Sequence, residues 1–231
     1  MKKYLSIFIS SILAGLCIVI GATAYLLLRD TNYLAGALIF GLGLFSIMHC
    51  RLYLYTSKVG AVLDNKPKYF LDLLVCIVGN FIGVIAFSSL LKLTRIGDAL
   101  SLEALELVTS KQNDSWYSIL ILSIMCGIMI FIAVLGHQKS EYTLGKVIFC
   151  FLAVSAFIIS SHEHCIANAA YYTFAGVFNQ KALLYFVIMI VGNAIGAIGI
   201  DALLKLVNYL NKNVEQKKEL NVESTINDEN R

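Results

Sequence analysis

Apolar residues run along this chain in long stretches, broken by short polar connections and by two polar interruptions inside stretches. A helix crosses the hydrocarbon of a bilayer in roughly 20 residues, rising about 1.5 Å for each. The pattern predicts six such spans: Tyr4 to Leu28, Tyr33 past Ile47, Tyr69 to Leu91, Trp116 to Gly136, Lys146 to Phe178, and Ala182 to Leu210. The connections at 29–32, 64–68 and 178–181 are short, whereas 94–115 reads as one longer link. Residues 1–210 thus form one transmembrane domain, and 211–231 a polar cytoplasmic tail expected to be disordered.

Composition agrees with that pattern. Hydrophobic residues make up 58% of the 231 and charged residues 14%, against about 25% charged in an ordinary soluble domain. A net charge of +3 without a basic, aromatic-interleaved patch gives no footprint for nucleic acid. The six cysteines lie in or beside apolar stretches without CxxC spacing, so they read as small buried side chains rather than disulfides. The 25 uncharged residues from Tyr4 to Leu28 exceed a signal-peptide core, and the stretch reads as the first span. With both termini inside, twelve Lys and Arg fall on the cytoplasmic side and five opposite, which orients the chain in a cytoplasmic membrane.

The two halves resemble each other. Gly79-Asn80-Phe81-Ile82-Gly83 in the third span matches Gly192-Asn193-Ala194-Ile195-Gly196 in the sixth. Three spans per half place repeats 4–93 and 115–210 in opposite orientations, the inverted duplication of many transporters. The small residues also suit close helix packing. Both polar interruptions hold the same rank in their repeats. The second span contains His49-Cys50-Arg51-Leu52-Tyr53-Leu54-Tyr55-Thr56-Ser57-Lys58, and the fifth contains Ser160-Ser161-His162-Glu163-His164-Cys165-Ile166-Ala167-Asn168. Polar groups and broken helices at bilayer depth are tolerated where they line a cavity or are covered by protein. Paired breaks therefore mark a permeation site.

Three readings compete for the fifth-span cluster. His162, His164 and Cys165 could ligate a metal, but histidines two apart on a helix diverge by about 200°. Glu163 and Asn168 could bond the free backbone ends of the break. One histidine could instead face a pore as a donor or proton carrier.

Glu163-His164-Cys165-Ile166-Ala167-Asn168 resembles the E-H-[SC]-[IV]-A-N motif of the formate/nitrite transporter family. Leu54-Tyr55-Thr56 is similar to that family's L-F-T, and the GNxIG segments also fit, so the resemblance covers about residues 4–205. It implies an all-α, aquaporin-like membrane protein with broken second and fifth helices, assembled as a homopentamer. It implies no cofactor and no enzymatic activity, and the partners would be small monovalent anions, protons and the lipid bilayer. Carried over, His164 is similar to the central pore histidine and Thr56 to the threonine paired with it; Glu163 and Asn168 resemble the residues that hold the break. By the same resemblance Phe40, Leu44 and Phe157 are the apolar constriction, and Lys111 is a vestibule lysine. From spacing alone the three apolar residues read first as ordinary bundle packing, and it is the resemblance that turns them into a constriction.

The chain departs from the family pattern at several positions. Little chain precedes the first span to form the family's N-terminal amphipathic helix. Gly127 stands where many members have Asn, Tyr53 where an acidic residue is common, and His162 where an aromatic usually precedes Glu-His. Arg51 and His49 add cations beside the first break, and Arg51 is expected to favour anions at the cytoplasmic mouth. The function expected is a channel or transporter for formate, nitrite or hydrosulfide. The alternative is an intramembrane metal-binding protein or metal transporter built on His162, His164, Cys165, His49 and Cys50.

Overall fold

The structure is a computed structural model describing the backbone of residues 2–229 and the side chains of residues 2–213. Of the 211–231 tail expected to be disordered, the backbone continues as helix to Glu229, and the side chains beyond Asn213 lie outside the described residues. Among the described residues, four helices are long and apolar enough to cross a membrane: α1 (Lys2–Leu28), α4 (Tyr69–Lys92), α6 (Trp116–Lys139), and residues Gln180–Asn213 of α9 (Gln180–Glu229). Asn32, Ser115 and Asn179 start α2 (Tyr33–His49), α6 and α9 by accepting from the backbone N–H three residues on. The second and fifth expected spans are each composite. α2 (Tyr33–His49) stops short and is followed by α3 (Tyr55–Lys58) with a 3-10 turn (Val59–Asp64). α7 (Thr143–Ile159) likewise stops and is followed by α8 (Cys165–Ala175), which ends before the expected Phe178.

The stretch read as a link at 94–115 contains a helix, α5 (Gly97–Gln112). Its buried Leu100, Ala104 and Val108 recur every fourth residue, the period that lets one face of a helix dock on neighbours. α5 packs chiefly on α8. It carries Lys111 in its last turn, and so it holds one of the site residues.

The halves pack in the same way. α1 lies along α4 and α6 along α9, while α2 and α7 face each other. In both long-helix pairs glycines of GNxIG meet the partner backbone: Gly83 sits on Ile12 and Gly196 on Ile124. The serines facing them repeat the arrangement, for Ser11 donates to Ile7 and Ser123 to Ile119 within their own helices.

Candidate functional site

Both half-helices end by the same device. Arg51 and Ser161 adopt left-handed φ values of 55° and 52°, and the next N–H reaches back five residues, Leu52 to Ile47 and His162 to Phe157. This is the Schellman closure, which glycine usually provides. With neither glycine nor proline there, only the polar interruption announces the stop.

The extended residues after each stop expose backbone groups to a low-dielectric interior, where an unpaired group costs several kcal/mol (about 2–7). One asparagine serves each break. Asn80 Oδ1 accepts from the Tyr55 N–H at 2.8 Å, and its Nδ2 donates to the carbonyls of Tyr53 and Ser11 at 2.9 Å each. Asn193 Oδ1 accepts from the Cys165 N–H at 3.0 Å, and its Nδ2 donates to the carbonyls of Glu163 and Ser123 at 2.8 Å each. Both are fully buried. The two GNxIG asparagines are thus equivalent clamps, each tying a break to two long helices. Sequence reasoning missed this role and took the motif as a packing surface; the recurrence of an Asn at the same place in both repeats was the available signal.

Glu163 was expected to bond free backbone ends, and its carboxylate does something else. It accepts from Lys111 Nζ at 2.7 Å and from Asn168 Nδ2 at 2.7 Å. Asn168 also donates to the His164 carbonyl at 3.1 Å, so that residue does bond the break. The Lys111 and Glu163 side chains are 12% and 3% exposed, so the pair is largely withdrawn from water. Lys111, expected to present a free charge at the mouth, is engaged by this carboxylate.

His164 caps α8: its Nδ1 accepts from the Ala167 N–H at 3.1 Å. An accepting Nδ1 carries no proton, so the neutral ring carries its proton on Nε2. That Nε2–H donates to Thr56 Oγ1 at 2.9 Å. The threonine hydroxyl hydrogen is left to donate elsewhere. Above the imidazole the Phe157 ring stacks at 5.7 Å between centroids, and Phe40 meets Phe157 edge-on at 6.0 Å. Leu44, one helical turn after Phe40, is buried on the same helix. The structure therefore brings Thr56, His164, Phe40 and Phe157 together, with Leu44 in the adjoining layer.

Two clefts open on opposite ends of this core. One, of about 300 Å³, is lined by Tyr25, Arg29, Tyr33, Glu106, Lys111 and Glu163, among others. The other, of about 380 Å³, contains Arg51 with Ile47, Met48, Lys58, His137 and Lys146. Of the departures, His162 is half-buried, and among the described residues its Nδ1 finds no partner. Gly127 lies against the Asn193 backbone so closely that any Cβ would collide with it. The expected loss of an Asn hydrogen bond at 127 is therefore accompanied by a close α6–α9 approach that has no room for that side chain. Among the described residues, no three His, Cys, Asp or Glu side chains converge as a metal site.

Long apolar helices in inverted pairs, around two broken helices and a buried polar pair, define an integral-membrane transport protein. The formate/nitrite transporter family model matches residues 1–207, so the chain belongs to that family. It is 27% identical over 191 residues to the formate channel FocB of Escherichia coli, covering 75% of this chain and 68% of that protein. It is 26% identical over 188 residues to the formate channel FocA of Haemophilus influenzae, covering 72% and 65%. Among solved structures, a pentameric formate channel with formate bound superposes with a TM-score of 0.78 at 22% identity, over 90% of this chain and 98% of that one. An FNT family ion channel superposes with 0.73 at 17% identity, over 89% of each. At those identities the structural likeness establishes the fold.

Proposed function

We propose that this protein is a channel or proton-coupled transporter for small monovalent weak-acid anions: formate, nitrite or hydrosulfide. The observation that carries the reading is the buried Thr56–His164 hydrogen bond between the two helix breaks, under the Phe40–Phe157 contact. Phe40, Leu44 and Phe157 act as the dry collar, which rejects strongly hydrated ions and passes small, weakly hydrated ones. Because the His164 Nε2–H donates a hydrogen bond to Thr56 Oγ1, the threonine hydroxyl hydrogen is the donor offered to the permeant anion. Transfer of a proton to the permeant is the second use of this pair. Glu163 and Asn168 hold the fifth-span break, and Lys111 and Arg51 stand at the two mouths. The Lys and Arg distribution supports a cytoplasmic-membrane protein with both termini inside, and the pentameric relative supports a homopentamer.

The test is uptake of formate, nitrite and hydrosulfide into liposomes. Wild type is expected to carry at least one of the three above the protein-free background, and His164→Ala to lose most of that flux. Wild-type flux equal to protein-free liposomes for all three anions refutes the proposal.

A further inference from the structure

The Arg51 cleft has a charge pattern unlike that of the opposite mouth. Arg51, Lys58, His137 and Lys146 line its 380 Å³, together with Met48 and Gln138 and no carboxylate. Lys58, His137 and Lys146 are half-buried, yet among the described residues none of the four side chains forms an ion pair or hydrogen bond. Lys58 rests its ammonium over the Tyr53 ring at 5.0 Å, a contact that leaves its N–H donors free. Asp64 and Asp201 are both committed to Lys205 at 2.6 Å, and Glu141 lines a separate cleft with Lys139 and Tyr142. At the opposite mouth the cations are neutralised: Lys111 by Glu163, and Arg29 by Glu106, Glu103 and Asp30.

Gathering cations without counter-charges costs free energy through mutual repulsion and partial desolvation. Arg51 adds backbone strain, because its φ of 55° lies where a Cβ is disfavoured and glycine is not. Among the described residues, an unpaired arginine shares this cleft with two unpaired lysines, and that concentration of positive charge is what an anion site requires. The Coulomb attraction scales with the product of the charges, so such a site favours a dianion over a monovalent permeant. The guanidinium fork and two mobile ammoniums suit a tetrahedral oxyanion. The volume equals that of roughly twelve waters, so the ion enters keeping most of its hydration shell. That shell bars it from the apolar layer of Phe40, Leu44 and Phe157.

We propose that the cleft formed by Arg51, Lys58, His137 and Lys146 binds a doubly charged tetrahedral oxyanion, sulfate or hydrogen phosphate, which occupies the mouth without crossing. Its blocking effect rests on the anion-channel reading; its binding does not. Titration calorimetry of the detergent-purified protein with sodium sulfate, against sodium chloride at matched ionic strength, tests the site. Sulfate is expected to bind, about tenfold more weakly in Arg51→Gln and in Lys146→Gln, with Arg51→Lys intermediate and Lys181→Gln unchanged. Chloride binding as tightly as sulfate, or both Gln variants binding like wild type, overturns the proposal. Displacement of sulfate by short-chain phosphatidylglycerol at equal concentration also overturns it, by assigning the cleft to a lipid phosphodiester. In liposomes that carry formate, sulfate on the Arg51 face is expected to slow flux more than the same concentration opposite, and equal slowing from both faces overturns the assigned location. Liposomes that carry no formate count against the channel reading alone, while the calorimetry still decides the site.

Discussion

Replacing Asn193 by alanine removes one side chain and orphans groups on two other elements. The Cys165 N–H and the Glu163 carbonyl lose their partner inside the protein, and the Ser123 carbonyl loses a bond additional to its own helix. Leaving a buried donor or acceptor unsatisfied costs about 1–3 kcal/mol, so the first two groups together predict a loss of about 2–6 kcal/mol. The residue is fully buried, which leaves no route for water to relieve the loss cheaply. Asn80→Ala removes the same three kinds of bond at the other break and should cost a similar amount. Asn193→Asp keeps an acceptor for Cys165 but loses the donors, and adds a charge at membrane depth, so it should be at least as damaging. Unfolding by SDS in mixed micelles, followed by circular dichroism, measures the differences. If Asn193→Ala lies within about 0.5 kcal/mol of wild type, the level of an ordinary surface substitution, the clamp argument is wrong.

The remaining outcomes concern the glycine contacts of α6 and α9 and the Lys111–Glu163 ion pair. Gly127→Ala forces a methyl into the Asn193 backbone and should destabilise by about 1–3 kcal/mol, whereas Gly199, with open space around its position, should gain about 0.5–1 kcal/mol as alanine in the same micelle assay. Lys111→Met leaves the Glu163 carboxylate buried with a single partner and should cost about 3–5 kcal/mol. Adding Glu163→Gln to that variant should restore most of the loss, and a double-mutant cycle with no coupling between the two sites would contradict the pairing.

The transmembrane class and the two breaks were legible in the chain because a bilayer solvates by a simple rule: apolar stretches enter, and polar interruptions persist only when covered. Thr56 and His164 stood out as the polar residues of those interruptions, and the family motif implied that they meet. α5 was harder to see, because its apolar period of Leu100, Ala104 and Val108 is embedded in a segment too polar to span. Glu163 was assigned the wrong partners for a different reason: its nearest sequence neighbours suggest backbone capping, while its counter-ion comes from a helix 52 residues away.

Local sequence thus decided where the chain enters the membrane and where its helices fail, since hydropathy acts over one helix length. Only the tertiary structure decided what satisfies those failures. Asn80 and Asn193 reach breaks 25 and 28 residues distant, and Thr56 meets His164 across 108. Such partners are set by how closely the long helices approach and by the direction of each side chain. In a medium without water, a broken helix is stable only when that geometry delivers a hydrogen bond to each exposed backbone group.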